Sequence, residues 1–324
     1  MHRRQPPKMV DPSLTDAIAR SPLAARLLLS CAFEGIAERS CAVSGGADST
    51  ALAVLAIRAG CSTVVLHHVD HGLRIASSTE AAAVASLADR LGVEFVAHTV
   101  EVGAGPNLEE RARDARYAAL PVDVATGHTA DDLAETMLLH LLRGTGLDGV
   151  ASMARPRSGG PQRPLLRLRR TDTAALCAEL GLETVHDPMN NDTSFRRVRV
   201  RNELLPLMND IAERDVAGLV ARHSELAAAD VALLDELSAT LDPEQRWGLV
   251  GAATPLARRA LRRWLLHGGV GGGRSVDAAT LDRVMDVALG ETPACDVVGG
   301  WRAARTDGCL RLLPPNTGPG DLTA

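Results

Sequence analysis

The feature that most constrains the fold is an alternation of short apolar runs with amphipathic patterns of helical period, from about residue 39 to residue 145. This alternation is typical of β–α units built on a parallel sheet. The predicted strands are residues 41–43, 63–69, 93–99 and 122–126. The predicted helices are residues 49–59, 77–91, 108–120 and 129–143. Because the strands are mostly apolar, we expect an α/β fold with helices on both faces of the sheet.

The alternation stops after Pro206, and a long amphipathic helix is predicted over residues 213–240. We therefore place a domain boundary near residue 210. Residues 1–210 are expected to form the catalytic domain, with a flexible tail over residues 1–20. Residues 211–315 are expected to form a smaller, mainly helical domain that ends in one or two short strands, and residues 316–324 a disordered tail.

Composition narrows the class of protein. The formal net charge of -5 argues against a chain that coats nucleic acid through a global positive field. The six cysteines are dispersed and never spaced C-x-x-C, which fits reduced thiols better than a metal centre or a disulfide framework. The amino-terminal residues lack the apolar stretch of a secretory signal, and no apolar run is long enough to span a bilayer. We expect a soluble cytoplasmic protein with no membrane partner, and the sequence leaves open whether it forms a homodimer.

Residues 44–49 read SGGADS and lie between the first predicted strand and its helix. Loops at the carboxyl ends of parallel strands are where open α/β sheets bind ligands. The two glycines let backbone N–H groups approach a phosphate, and the serines add hydroxyl donors. Asp48 would repel a phosphate unless a cation lay between them, so it implies Mg²⁺. The lysine of G-x-x-x-x-G-K-[ST] is absent, so the usual P-loop chemistry is not indicated.

The alternative for this stretch is a Gly-Gly turn followed by an Asp or Ser helix cap. However, S-G-G-x-D-S resembles the pyrophosphate loop (PP-loop) of the N-type ATP pyrophosphatases, which cleave ATP to AMP and pyrophosphate. The resemblance implies a Rossmann-like nucleotide-binding domain that uses ATP and Mg²⁺, with Asp48 as the metal ligand. The ATP-binding residues it implies are Ser44, Gly45, Gly46, Ala47, Asp48, Ser49 and, at the end of the second strand, His71.

Five further stretches narrow the resemblance to one family. They are HHVDHGLR (67–74), NLEERARDARY (107–117), ATGHTADDLAETMLLHLLRGTG (125–146), RPLL (163–166) and HDPMNNDTSFRRVRVRNELLP (186–206). Over roughly residues 38–208 the chain resembles the tRNA(Ile)-lysidine synthetases, although that family tends to have serine at Met189 and asparagine at Val198. The resemblance implies a ligase that attaches free L-lysine to C2 of the wobble cytidine in the CAU anticodon of tRNA(Ile). The cytidine O2 would first be adenylated by ATP, and the lysine ε-amine would then displace AMP.

The candidate catalytic residues follow from these motifs and are Asp48, Arg113, His128, Asp132 and Glu135. The spacing of the last three is i, i+4 and i+7, which predicts one face at the start of a helix. Asp132 and Glu135 are the carboxylates expected to bind the amines of lysine, and Arg113 could neutralise phosphate charge. Two alternatives stay open: Thr129 could cap a helix whose positive end suits Asp132, and Arg113 could form an ordinary surface pair with Glu109.

The candidate tRNA-binding residues lie in arginine clusters, and they are Arg197, Arg199, Arg201, Arg259 and Arg263. Arginines suit phosphates, and anticodon bases are unstacked and readable. A second basic stretch, residues 155–170, is interpreted as an exposed loop. The alternative for any such cluster is a solvated helix face.

Three other functions compete with this hypothesis. The stretch HHVDH resembles part of an H-x-H-x-D-H zinc signature, typical of metal-dependent hydrolases, but Leu66 stands at the first ligand position. Another PP-loop tRNA-modifying enzyme is the alternative within the class, although a 2-thiolation enzyme should carry paired cysteines. A non-catalytic RNA-binding module would need neither ATP nor magnesium.

Overall fold

The structure, a computed structural model, describes residues 2–6, 10–33, 38–70, 77–101, 108–155, 160–185, 192–270 and 276–315. The chain divides into two compact units, unit 1 (Met1–Ala228) and unit 2 (Ala229–Ala324). The boundary between the units falls inside a helix, between Ala228 and Ala229. The boundary between functional domains that we expect near residue 210 stays a prediction. Each unit has its own buried apolar core.

Unit 1 is built on a five-stranded sheet in the order β1-β4-β3-β2-β5. The strands are β1 (His2–Gln5), β2 (Glu38–Ala42), β3 (Thr63–Asp70), β4 (Glu94–Thr99) and β5 (Ala125–Thr126). The three pairings among β2, β3, β4 and β5 are parallel, and β1 runs antiparallel along the edge of β4. The α/β class and the parallel sheet predicted from the sequence are confirmed.

Eleven helices of the described chain begin in unit 1. They are α1 (Pro12–Arg20), α2 (Pro22–Leu28), α3 (Ala47–Arg58), α4 (Ser77–Leu91), α5 (Leu108–Ala119), α6 (Ala130–Leu142), α7 (Leu147–Ala151), α8 (Arg170–Glu179), α9 (Arg196–Arg199), α10 (Leu205–Ala212) and α11 (Ala217–Ala239). A π-helical turn, Val200–Leu204, joins α9 to α10. Helix α3 is buried along most of its length, because apolar residues cover nearly its whole circumference.

Residues 10–20 belong to the segment for which we expected a flexible tail, and the structure places a capped helix there. Asp11 accepts hydrogen bonds from the backbone N–H groups at the start of α1, and Pro12 occupies its first position. Leu14 and Ile18 then lie four residues apart on one face and are buried in the core of unit 1. Capping and burial together order this segment.

Unit 2 contains the end of α11, the helices α12 (Arg246–Val250), α13 (Thr254–His267) and α14 (Ala278–Leu289), and a small sheet. The sheet is antiparallel in the order β6-β7-β8, with β6 (Ala294–Val297), β7 (Trp301–Thr306) and β8 (Cys309–Leu313). It has one strand more than we expected. Nowhere in the described part of either unit does a helix combine the length and the apolar character that a membrane span requires.

Candidate active site

The loops after β2 and β5 meet at the carboxyl edge of the sheet of unit 1. These two strands pair in parallel, with Cys41 opposite Ala125 and Ala42 opposite Thr126. The chain runs outward from β2 to β3 and β4 on one side and returns to β5 on the other, so the strand order reverses between β2 and β5. A crevice at such a reversal is the usual ligand site of an open α/β sheet.

The loop after β2 has the backbone of an anion cradle. Gly45 has φ +89°, and a Cβ placed there would lie 3.0 Å from Val185. Gly46 is the N-cap of α3, and no side chain caps that helix end. The hydroxyl of Ser49 accepts the N–H of Ser44 at 3.2 Å and donates to the carbonyl of Gly46 at 2.9 Å. The loop is thus closed on itself, and the N-terminus of α3 keeps backbone donors for an anion.

Asp48, in the first turn of α3, is held from α8 and does not cap its own helix. The hydroxyl of Thr173 donates to one carboxylate oxygen, and Nε of Arg170 donates to the other at 3.4 Å. Burial raises the pKa of the Asp48 carboxyl, although the hydrogen bond from Thr173 opposes this shift. A buried carboxylate with a raised pKa is stabilised by an added cation, so this loop fits a metal-bound polyphosphate.

Asp132 and Glu135 lie one turn apart on α6 and accept hydrogen bonds from the same arginines. Arg170 donates to Asp132 Oδ1 at 3.0 Å and to Glu135 Oε1 at 3.1 Å. Arg197 donates to the same Asp132 oxygen at 2.8 Å and to Glu135 Oε2 at 2.7 Å. Arg201 donates to both oxygens of Glu135, at 2.7 and 3.1 Å. We call Asp48, Asp132, Glu135, Arg170, Arg197 and Arg201 the carboxylate–arginine cluster.

Both α6 carboxyls in the cluster are held in their ionised form. Burial alone would raise the pKa of Asp132, but Arg197 and Arg170 outweigh it and lower that pKa to about 2. Burial likewise opposes ionisation of Glu135, but the hydrogen bond from Arg201 and the charges of the other two arginines lower its pKa. Glu135 accepts these hydrogen bonds although its side chain is fully buried.

The other oxygen of Asp132 takes part in the cap at the start of α6, where the sequence left a capping interpretation open. Its Oδ2 accepts the backbone N–H of Thr129 at 2.8 Å and the hydroxyl of Thr129 at 3.0 Å. The cap and the arginine contacts therefore coexist, one on each oxygen. The two interpretations of this residue were not exclusive.

His128 lies in the loop before α6 and not on the helix itself, which begins at Ala130. Its Nδ1 is 2.8 Å from the hydroxyl of Thr126, so β5 sets the position of the ring. Burial lowers the pKa of His128 to about 4, with Asp132 opposing the shift. The imidazole is neutral at pH 7.

Gly127, between β5 and His128, brings this loop against the first loop. A Cβ at Gly127 would lie 2.8 Å from backbone atoms of Asp48 and Ser49, which is closer than side chains approach backbone. Only glycine allows this contact without moving α3. Sequence reasoning did not single out Gly127.

The remaining predicted site residues are scattered. Arg113 is exposed on α5, with its guanidinium 5.3 Å from the ring centre of Tyr117. Arg199 is exposed and pairs with Glu203 at 2.8 Å, one turn along. His71 lies outside the described residues. No hydrogen bond of the described residues joins Arg113 or Arg199 to the cluster, and the roles of all three residues stay predictions.

The two predicted tRNA-binding arginines of unit 2 have structural partners. Arg259 donates to Asp235 at 2.6 Å and is mostly buried. Arg263 donates to the carbonyls of Ser238 and Leu241, at 2.8 and 3.3 Å. Both arginines therefore tie α13 to the end of α11 and the turn after it.

Sequence reasoning missed the contribution of α8. The stretch 155–170 was interpreted as an exposed loop, but its last two residues begin α8 and face acidic partners. Arg169 forms a two-bond pair with Asp131 at 2.8 and 3.1 Å, and the backbone N–H of Arg170 donates to the same carboxylate at 2.8 Å. Two arginines at the positive end of a helix are unfavourable unless acidic residues compensate them. Their position at the start of α8 could therefore have indicated nearby carboxylates.

Comparison with known proteins now places this geometry in a class. A family described as the PP-loop domain matches residues 30–208, which is more than half of the chain and includes both loops and the cluster. The U34-tRNA thiolase NcsA from Methanococcus maripaludis shares the fold, with a TM-score of 0.52 over 64% of this chain and 78% of that one at 17% identity. The fold and the loop are therefore those of the PP-loop proteins.

Relatives of higher identity identify the family within this class. The tRNA(Ile)-lysidine synthase of Mycolicibacterium paratuberculosis is 40% identical over 300 residues, which cover 87% of this chain and 93% of that protein. The enzyme of the same name from Nocardia farcinica is 43% identical over 243 residues, 70% of this chain and 75% of that protein. This chain belongs to the tRNA(Ile)-lysidine synthase family, a family of ligases, and the resemblance found in the sequence is confirmed.

Proposed function

We propose that this chain ligates free L-lysine to C2 of the wobble cytidine in the CAU anticodon of tRNA(Ile), with cleavage of ATP to AMP and pyrophosphate. The names of its relatives support lysidine formation in tRNA(Ile), and the PP-loop domain supports the use of ATP. One observation carries the proposal: Asp48 of the phosphate-type loop and the buried carboxylates of α6 meet around a single arginine, Arg170. A site for a polyphosphate thus adjoins a site for an ammonium group.

The loop of residues 44–49 and the N-terminus of α3 would bind the phosphates of ATP through backbone N–H groups. The cytidine O2 attacks the α-phosphorus, the bond to the bridging oxygen breaks, and pyrophosphate leaves with that electron pair. The product of this first step is an O2-adenylated cytidine. Asp48 would hold Mg²⁺, which neutralises phosphate charge when it is bound.

Asp132 and Glu135 would bind an amino group of lysine. Their lowered pKa values keep them ionised at neutral pH, so they are better suited to bind an ammonium group than to act as general acids or bases. Positioning the neutral ε-amine beside the activated carbon replaces a bimolecular encounter and supplies much of the rate. The amine attacks C2, and AMP leaves with the former O2 oxygen.

His128 is the group that we infer accepts the proton from the attacking amine. It is neutral at pH 7 and can therefore accept a proton, and Thr126 orients its ring, but its pKa of about 4 makes it a weak base. Arg113 and the exposed Arg199 remain candidates for contacts with phosphate groups of the substrates. We also infer that the enzyme acts in the cytoplasm.

The test is an incorporation assay with purified protein, ATP, Mg²⁺, radiolabelled lysine and a CAU-anticodon tRNA(Ile) transcript. We expect labelled tRNA and release of AMP. Asp48→Ala should lower the rate on the order of 100-fold, since it removes a buried charge beside the reacting phosphate. Asp16→Ala, which removes an exposed acid that pairs with Arg20 on α1, is the matched control and should retain the wild-type rate.

The wobble base decides between this function and a less specific one. A transcript with uridine at the wobble position should give no label, because the proposed reaction is specific for cytidine. Equal labelling of both transcripts would contradict the proposal. Binding of tRNA without AMP release would indicate an RNA-binding module instead.

Two alternatives are less well supported by the geometry. A thiolation enzyme should carry paired cysteines, whereas the six cysteines of this chain are dispersed in the sequence, and burial raises the pKa of Cys31 and Cys41 to about 12. A zinc hydrolase needs a full ligand set, and the described residues contain no group of three or more His, Cys, Asp or Glu that could hold a metal ion. His68, at the second ligand position of that signature, instead has its Nδ1 2.9 Å from the backbone carbonyl of Val43.

A further inference from the structure

Arg170 joins the two halves of the proposed site. Its guanidinium donates to Asp48 at 3.4 Å, to Asp132 at 3.0 Å and to Glu135 at 3.1 Å. The first carboxylate belongs to the loop that we assign to ATP, and the other two belong to the pair that we assign to lysine. Asp48 lies 122 residues from Arg170 in sequence, so this contact depends on the tertiary fold.

The cluster is electrically balanced as it stands. Three carboxylates face three guanidinium groups, and burial makes any uncompensated charge costly. A lysine ammonium added to Asp132 and Glu135 would leave an excess positive charge. A metal-bound triphosphate added beside Asp48 would leave an excess negative charge. Each ligand therefore corrects the imbalance that the other creates.

Arg170 is the cluster member best placed to change partners. Arg197 and Arg201 bond only to carboxylates of α6 within the cluster, whereas Arg170 also reaches the phosphate-type loop. The side chain of Arg170 is 31% exposed to solvent, so it is not enclosed on every side. The guanidinium fork binds phosphate oxygens as readily as carboxylates.

We propose that Arg170 couples the binding of ATP to the binding of lysine. Without ligands its guanidinium occupies the place of the lysine ammonium between Asp132 and Glu135. When the nucleotide binds, Arg170 turns to the phosphates and leaves that place to the ammonium. This inference rests on the proposed function and assigns a positioning role to a residue outside the predicted site.

The coupling is measured as the affinity for radiolabelled lysine, by equilibrium dialysis, with and without Mg²⁺ and α,β-methylene-ATP. In the wild-type protein we expect the nucleotide to tighten lysine binding by roughly 5- to 150-fold, the usual range of a coupling between sites. Lysine must tighten nucleotide binding by the same factor, which a fluorescent-nucleotide titration checks.

Arg170→Ala should bind lysine more tightly than the wild type when no nucleotide is present, because the competing guanidinium is gone. The nucleotide should then change its lysine affinity by less than about 2-fold. Arg170→Lys keeps the charge but offers a single point of contact, and it should show an intermediate coupling. Arg20→Ala, which removes an exposed arginine from a surface pair on α1, should couple like the wild type.

Two results would overturn the inference. One is a nucleotide effect in Arg170→Ala as large as that in the wild type, and the other is weaker nucleotide-free lysine binding in that variant. If Arg170→Ala does not fold, the intermediate coupling of Arg170→Lys decides, and a wild-type factor there would count against us. If either result is obtained and the wild-type protein still incorporates lysine into tRNA, the coupling is wrong but the proposed function stands. If the wild-type protein does not incorporate lysine, the coupling and the proposed function are both overturned.

Discussion

Glu135 shows at the scale of one residue how the site depends on charge pairing. It is fully buried and accepts hydrogen bonds from three arginines. Glu135→Gln keeps the shape but removes the charge, and it leaves Arg201 without its ionised partner. Breaking a buried pair in this way should lower the free energy of unfolding by on the order of 3 kcal/mol, which a urea denaturation would measure.

The matched control for this change is Glu203→Gln. Glu203 pairs with Arg199 on an exposed helix face, where solvent screens the pair. We expect little change in its denaturation midpoint. If the two variants lost the same stability, the burial of Glu135 would not be what makes its ion pairs important.

Single residues were predictable where the signal was local. Asp132 and Glu135 were found because a three-residue spacing on a helix places two carboxylates on one face, and Asp48 because a carboxylate in a phosphate-type loop is unusual. Arg170 and Thr173 were not found, because their partner Asp48 is far away in sequence and no periodicity reports such a contact. Arg197 and Arg201 were noticed, but as an arginine cluster whose acidic partners on α6 could not be assigned from sequence.

At the scale of elements, a substitution of Gly127 tests the contact between the loop after β5 and the start of α3. A methyl group there would collide with the backbone at the start of α3, which cannot rotate away as a side chain can. Gly127→Ala should therefore push the loop after β5 from the phosphate-type loop and cost about 1–3 kcal/mol of stability. We expect a loss of lysine incorporation of at least roughly 10-fold, since the reacting groups would no longer be aligned.

Gly218→Ala is the control for this substitution. Gly218 is exposed in the first turn of α11, and the structure places nothing within 4 Å of an added Cβ. Its activity and melting temperature should stay close to those of the wild type. An active, stable Gly127→Ala variant would show that the contact between the two loops is dispensable.

At the scale of elements, the predicted strands and helices of the parallel sheet were found to within about three residues. Their apolar pattern is strong because helices bury both faces of the strands. The edge strand β1 was missed because its four residues are all polar and carry no alternation of that kind. Helix α1 was missed although its sequence gave a signal, an Asp cap followed by Pro at the first helical position.

The whole molecule should lose stability in mild acid, because buried histidines resist taking up a proton. His67 on β3 and His98 on β4 lie side by side in the sheet, with Nδ1 of the first 2.9 Å from Nε2 of the second. Burial lowers the pKa of His67 to about 4, and the charges of His98 and of Arg4 on β1 act in the same direction. In the unfolded chain the pKa of the same group is close to its ordinary value of 6.5. Between these two values the unfolded state binds a proton that the folded state does not, so stability falls as the pH is lowered through this window.

The full shift corresponds to roughly 3 kcal/mol for this histidine. Melting temperatures measured from pH 7.5 to pH 5 should therefore decline in the wild type. His128, whose pKa burial also lowers to about 4, acts in the same direction, so His67 accounts for part of the decline. Asp132 does not contribute to that decline, because its pKa is lowered from 3.8 to about 2 and its stabilisation is lost only at much lower pH. His67→Asn should melt lower at pH 7.5 but lose less on acidification, whereas His223→Asn, a change at an exposed position on α11, should follow the wild-type slope. A slope in His67→Asn equal to that of the wild type would mean that the histidine pair in the sheet does not set the acid sensitivity of the fold.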